Sequence, residues 1–156
     1  MQAKLINQTG HQRTFIVVLD TGDEVMTCLN RFVAQEALEA AQLSAIGAFR
    51  SAVLGYFDWQ RKNYRHIPVD DQVEVASFIG DLARGPDNKP SLHIHCVLGC
   101  ADGRALAGHL LEGHVRPTLE VILTDSPVHL RKRHDPETGL ALIDPSASQD
   151  AQGIQR

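Results

Sequence analysis

The fold is decided by the stretch SLHIHCVL, residues 91–98. Apolar and polar residues alternate there, which predicts a half-buried β-strand. Successive side chains of a strand leave on opposite faces, so His93 and His95 lie side by side on one face. The dipeptide Asp102-Gly103 that follows is the strongest short signal for a tight hairpin turn. We therefore expect the next segment to return antiparallel beside this strand and to bring His109 to the other two histidines.

Three imidazoles aimed at one point are a ligand set that transition metals, and zinc above all, readily accept. Ile94 and Cys96 lie on the opposite face of the predicted strand, so Cys96 is a poor fourth ligand. The site would then keep an open position for water, and open sites can support chemistry because a bound water becomes more acidic. The alternative interpretation is three polar side chains on a solvent-facing surface or in a subunit seam, hydrogen-bonded to carbonyl groups.

Two carboxylates qualify for a supporting role near the histidines. Glu112 follows His109 by three residues and could act as a general base, a hydrogen-bond acceptor for a ligand, or an added ligand. Glu120 stands in an apolar stretch, where a lone carboxylate needs a partner, and could orient a ligand histidine. Each is also consistent with an ordinary solvated or salt-bridged acid. His114, next to the site in sequence, is expected to lie outside it.

The rest of the chain predicts an α+β domain. The run TFIVVL, residues 14–19, is an interior strand, and Asp23 is expected to cap a helix from Glu24 to Ala40. Further strands are predicted at 44–58, 65–69, 73–79, 118–124, 128–131 and 140–143, with a turn or a single helical turn at 110–113. Short connections favour antiparallel pairing. The fold class is therefore α+β, a mostly antiparallel sheet of about seven strands with flanking helices.

Length and composition favour a single cytoplasmic domain. The 156 residues suggest an N-terminal extension at 1–13, one domain at 14–143 and a disordered tail at 144–156. No apolar stretch is long enough to span a membrane, and the N-terminus lacks the apolar run of a signal peptide. The three cysteines form no disulfide pattern, so a reducing compartment, the cytoplasm, is expected.

The charge balance argues against general binding of nucleic acid. The net charge is −4 and the isoelectric point is near 6.0, whereas DNA-binding domains usually carry a basic face or a high isoelectric point. The one compact basic run is Arg131-Lys132-Arg133-His134. A solvated hairpin tip is the simplest interpretation of that run.

Several short motifs occur in an order that resembles a known family. The motifs are Gly22-Asp23-Glu24-Val25, Ile46-Gly47-Ala48, Gly55-Tyr56-Phe57-Asp58, Glu74-Val75, Ser77-Phe78-Ile79-Gly80, Leu92-His93-Ile94-His95, Gly108-His109-Leu110 and Thr118-Leu119-Glu120. Over residues 14–143 this order resembles the PPC (plant and prokaryote conserved) domain. The domain occurs as stand-alone prokaryotic proteins and within plant AT-hook nuclear proteins.

The resemblance implies a seven-stranded antiparallel sheet with flanking helices, assembled as a homotrimer. It also implies that His93, His95 and His109 are the ligands of a metal, zinc or another divalent transition metal. The DNA-binding label of the plant members does not transfer, because the sequence contains no Arg-Gly-Arg-Pro core of an AT-hook.

We interpret the sequence as a cytoplasmic, PPC-like homotrimer with a three-histidine metal site and a regulatory or small-molecule-binding role. Whether the protein is an enzyme stays open. One alternative is a metal-dependent hydrolase or lyase that uses a metal-bound water, with Glu112 as the candidate catalytic base. A second alternative is a DNA-associated regulator in which this domain supplies oligomerisation.

Overall fold

The computed structural model describes residues 1–126 and 129–148. These residues form one helix and nine strands. The elements are β1 (Gln2–Thr9), β2 (Gln12–Asp20), α1 (Val25–Gln35), β3 (Ala41–Asp58), β4 (Asn63–Val69), β5 (Val73–Arg84), β6 (Pro90–Gly99), β7 (Ala105–Asp125), β8 (Lys132–His134) and β9 (Ala141–Ile143). No helix in the described part of the chain has the length and apolar character needed to cross a membrane.

Seven strands form one antiparallel sheet in the order β1-β2-β7-β6-β5-β3-β4, and β8 and β9 form a separate hairpin. The long strands β3 and β7 also pair with each other along most of their length. Strands β3, β5, β6 and β7 therefore close into a ring in which each pairs with two others. The predicted class, an α+β fold with about seven mostly antiparallel strands, is confirmed, with one helix in place of the expected flanking helices.

Helix α1 covers one side of the core. Its apolar stripe, which includes Leu29, Phe32 and Val33, is buried and packs towards β6 and β7. Burial of each such side chain contributes about 1.5–3 kcal/mol, which is the main reason that this short helix is stable. The helix thus fixes the position of the two strands that carry the histidines.

The ends of the helix differ from the prediction. Glu24, not Asp23, is the capping residue, since its carboxylate accepts hydrogen bonds from the backbone N–H groups of Met26 and Thr27 at 3.0 and 2.7 Å. At the other end the helix stops at Gln35 instead of Ala40. Beyond Gln35 the chain leaves the helix and continues into β3, where residues 41–49 pair with both β5 and β7.

Gly80, which was predicted to end a strand, and Gly108 are points of close strand contact. A Cβ at Gly108 would lie 2.8 Å from the carbonyl oxygen of Gly55, and one at Gly80 would lie 2.6 Å from that of His93. Strand β7 therefore runs on through residues 110–113, where a turn was predicted, and β5 continues to Arg84. Both predictions were wrong because the glycines reflect packing between strands and not the ends of strands.

The two ends of the chain also differ from expectation. The predicted extension contains β1, which pairs with β2 at the edge of the sheet. The last hairpin is formed by β8 and β9, and its first strand begins a few residues later than predicted. Residues 144–148 form a turn in which the N–H of Asp144 donates to the carbonyl of Arg131 at 2.8 Å. The remainder of the predicted tail, and Val128 of the predicted strand at 128–131, lie outside the described residues.

Candidate metal centre

The three predicted histidines converge. His93 and His95 lie on β6, and His109 on β7 is the direct partner of His95 in the sheet. The Nε2 atoms of His93 and His95 are 3.1 Å apart, and one nitrogen from each of the three rings lies within 4.8 Å of the others. The hairpin at Asp102-Gly103 thus produces the juxtaposition that the sequence predicted.

The cluster has the donor set and nearly the dimensions of a zinc site. With Zn–N bonds of about 2.0–2.1 Å, two tetrahedral ligand atoms lie about 3.3–3.4 Å apart. The His93–His95 pair is already close to that separation, and nitrogens at the 4.8 Å limit would have to approach each other by about 1.4–1.5 Å. The Nδ1 atom of His109 is buried and has no hydrogen-bond partner within the described residues. A buried nitrogen without a partner is costly, and a bound ion or water would remove that cost.

The electrostatics keep two of these imidazoles neutral. Burial lowers the pKa of His95, and the neighbouring His93 lowers it further. Burial also lowers the pKa of His109 to about 4, with smaller contributions from the charges of His93, His95 and Lys132. Neutral imidazoles have a free lone pair, which is the form that binds metals. At neutral pH these two rings are therefore in the ligand form.

Sequence reasoning missed a carboxylate behind His93. Asp81 lies opposite His93 in the β5–β6 pairing, and its Oδ2 is 3.4 Å from the Nδ1 of His93. Burial alone raises the pKa of Asp81, but hydrogen bonding to His93 and the positive charge of Lys132 outweigh this and hold the pKa below its ordinary value. Metal-binding histidines usually donate their second N–H to such an acceptor. An extension of β5 past Gly80 would have placed Asp81 opposite His93 and so predicted this contact.

An aromatic ring supports His109 from the other side. The rings of Tyr64 and His109 stack with centroids 4.8 Å apart and planes at 23°. Gly55 makes room for this arrangement, because a Cβ there would lie 2.8 Å from Cδ1 of Tyr64. The motif Gly55-Tyr56-Phe57-Asp58 and the later tyrosine thus serve to hold one predicted ligand in place.

The other predicted candidates do not join the cluster. The Glu112 carboxylate lies 2.6 Å from Nε2 of His114, and neither residue belongs to the converging group. Glu120 is exposed and stands opposite Val18 and Ile46 in the sheet. Cys96 is buried on the far side of β6, as predicted, and burial raises its pKa to about 12. Its thiol is therefore protonated and unsuited to bind metal.

The cluster is open on its solvent side. His95 is exposed, and a shallow groove of about 310 Å³ runs beside it, lined by Ile79, Gly80, Asp81, His93 and His95. A small molecule could reach a metal held by the histidines through this groove. The fold and the site together define a class of protein: an antiparallel-sheet protein with three convergent histidines beside an open groove.

The particular family follows from comparison with known proteins. Residues 6–127 match the model of the Plants and Prokaryotes Conserved (PCC) domain, so the chain belongs to that family. This is the family that the sequence motifs resemble.

Two solved structures share the fold over nearly the whole chain. A candidate DNA-binding protein from Bacteroides thetaiotaomicron superposes with a TM-score of 0.81 at 25% identity, covering 88% of this chain and 94% of that one. A metal-containing protein from Archaeoglobus fulgidus superposes with a TM-score of 0.77 at 32% identity, covering 92% of this chain and 99% of that one.

One curated relative is much longer than this chain. The bifunctional protein GlmU of Synechococcus sp. (strain JA-3-3Ab) is 32% identical over 134 residues, which is 84% of this chain but only 20% of that protein. The chain therefore spans about a fifth of the length of that relative.

Proposed function

We propose that this protein is a cytoplasmic homotrimer that binds one divalent transition-metal ion per chain through His93, His95 and His109, and that the metal binds a small molecule in a regulatory role. The observation that supports this most directly is the convergence of three imidazole nitrogens within 4.8 Å, beside an open groove. When bound, such a metal supplies a Lewis acid with a coordination position to spare.

Zinc is the metal that we propose. The donor set is three imidazoles, with Cys96 turned away and protonated, and imidazole ligands suit zinc, copper, iron and nickel. A similar structure, from Archaeoglobus fulgidus, is described as metal-containing. Zinc accepts three protein ligands and an open position without a redox requirement.

The proposed trimer is supported by an apolar surface close to the site. Ile46, Ile79 and Ile122 are 65%, 61% and 39% exposed on β3, β5 and β7. Ser44 of β3 pairs with Ile79 of β5 on one side and with Ile122 of β7 on the other, so both isoleucines lie on the same face of the sheet. Exposed apolar patches of this kind commonly mark contacts between proteins. The trimer implied by the family resemblance would bury this surface.

Two observations favour this role over the alternatives. Glu112, the base of the proposed hydrolase or lyase, is paired with His114 away from the cluster. The basic run, which a DNA-binding role would use, is largely engaged within the protein. Arg131 donates to Asn88, Lys132 is buried, and Arg133 pairs with Asp144.

The proposal is tested by the metal content of untagged protein, measured by elemental mass spectrometry after zinc reconstitution and dialysis. We expect about one equivalent per chain in wild type and a loss of metal in the double variant His93→Ala/His95→Ala. The matched control is His11→Ala/His66→Ala, which removes two exposed histidines and should retain the metal. Wild-type protein without metal after reconstitution would refute the proposal. Light scattering on the same samples tests the trimer separately.

A further inference from the structure

Lys132 is a buried lysine that lies outside the group of three converging histidines. It lies on β8, beyond the residues that match the family model, and is 5% exposed. Lysine is rarely buried unless its charge is paired. The segment before it is fixed to β5, because the N–H of Arg84 donates to the carbonyl of Leu130 at 2.9 Å. The side chain of Lys132 is thereby directed from the C-terminal hairpin towards β5 and β6.

The Lys132 ammonium group joins the two strands behind the histidines. Its Nζ donates to the carbonyl of Ser91 on β6 at 3.0 Å and lies 3.1 Å from Oδ1 of Asp81 on β5. The contact with Asp81 is an ion pair and not an aligned hydrogen bond, since Oδ1 has no hydrogen-bond partner of proper geometry. The other oxygen of Asp81 faces Nδ1 of His93. A continuous series of contacts thus runs from Lys132 through Asp81 to a candidate ligand.

We propose that Lys132 is a positioning residue of the metal site. It fixes the carboxylate of Asp81, and Asp81 in turn fixes the ring and the tautomer of His93. A proton on Nδ1, which lies 3.4 Å from Oδ2 of Asp81, leaves the lone pair of His93 on Nε2, the atom that faces His95. This inference rests on the proposed metal-binding function and assigns a part of that site to the C-terminal hairpin.

The sign of the change in zinc affinity on removal of Lys132 distinguishes a positioning role from a purely electrostatic one. A positive charge near a metal ion repels it, so a lysine that acted only through its charge would weaken zinc binding, and its removal would strengthen it. A lysine that positions Asp81 and His93 has the opposite effect, because loss of the acceptor that orients a ligand typically costs about 10–100-fold in metal affinity. We expect positioning to dominate, since the ammonium charge is largely compensated by Asp81.

The test is a double-mutant cycle on the zinc dissociation constant, measured by chelator competition at neutral pH. We expect binding to weaken about 10–100-fold in Asp81→Asn and about 10-fold in Lys132→Met. The combined variant should bind no more weakly than Asp81→Asn alone, because Lys132 acts through Asp81. The matched control Lys4→Met, at an exposed lysine on β1, should leave binding unchanged. Unchanged or tighter binding in Lys132→Met, or additive effects in the cycle, would refute the inference.

A second measurement needs no metal and separates the two proposals. In zinc-free protein, long-range ¹H–¹⁵N spectra report which ring nitrogen of His93 carries the proton. We expect Nδ1 in wild type and a mixture of tautomers in Lys132→Met, or in Lys132→Gln should the first variant not fold. Wild-type protein that does not bind zinc but shows this tautomer would refute only the metal function. A proton on Nε2 of His93 in wild type would overturn the role of Lys132.

Discussion

Replacement of Gly108 by alanine tests whether the close approach of β3 and β7 beneath His109 is required. The added Cβ would lie 2.8 Å from the carbonyl oxygen of Gly55 and 3.3 Å from Cβ of Leu54. The first contact is with backbone, which cannot move aside alone, so β3 and β7 must separate. Overpacking of this kind typically costs about 1–3 kcal/mol. For a chain of this length, that lowers the melting temperature by about 2–12 °C.

The matched control for this change is Gly99→Ala at the end of β6. A Cβ there meets only Glu74, at the ordinary distance of 3.8 Å, so the substitution should be neutral or stabilise by up to about 1 kcal/mol. We expect thermal unfolding of the zinc-free proteins to separate the two variants clearly, and zinc affinity to fall in Gly108→Ala because His109 is displaced with its strand. Equal melting temperatures for the two variants would refute the close-packing argument.

Three further changes test the site and the surface around it. Tyr64→Leu removes the ring stacked on His109, and an aromatic pair of about 0.5–1.5 kcal/mol predicts zinc binding about 2–10-fold weaker in chelator competition. Ile79→Glu places a charge on the apolar surface and should convert the proposed trimer to monomers, as measured by light scattering, whereas Lys4→Glu should not. Zinc-free protein should lose stability as the pH falls from 6.5 towards about 4, because the unfolded chain takes up a proton at His109 that the folded chain excludes. The loss in the free energy of unfolding is at most about 3 kcal/mol, and solvent screening reduces it to about 1–2 kcal/mol. Urea titrations that show equal stability at pH 6.5 and at about pH 4 would contradict this prediction.

The convergence of the three histidines could be predicted because its sequence signals are local. The alternation of residues 91–98 and the Asp102-Gly103 turn depend on a few adjacent residues, and together they fix the face and register of all three histidines. The position of Asp81 opposite His93 depends on the length of β5. That length is set by the pairing of β5 with β6 and not by the sequence of β5 alone. Lys132 lies far from Asp81 along the chain, and nothing in its local sequence indicates where its side chain lies.

Glu112 lies apart from the three histidines for a related reason. In a turn or helix, residues three apart lie about 5–6 Å from each other, which would have placed this carboxylate beside His109. In an extended strand the same separation is about 10 Å. Gly108 and Gly113 lie where β7 packs closely against its neighbours, and β7 stays extended through residues 110–113, where a turn or a single helical turn was predicted. Glu112 is therefore carried along β7 to His114.

The charges around the cluster indicate what kind of small molecule a bound metal would attract. Imidazole binds a metal in its neutral form and so brings no charge to the ion, and the negative charge of Asp81 is balanced by Lys132. A divalent ion in this site would keep most of its positive charge, and the groove beside His95 is its open side. We therefore expect small anions to bind to the zinc-loaded protein and not to the zinc-free protein. Removal of Lys132 should leave the negative charge of Asp81 uncompensated and so weaken the binding of the anion. An anion affinity that is unchanged in Lys132→Met would contradict this account of the charges.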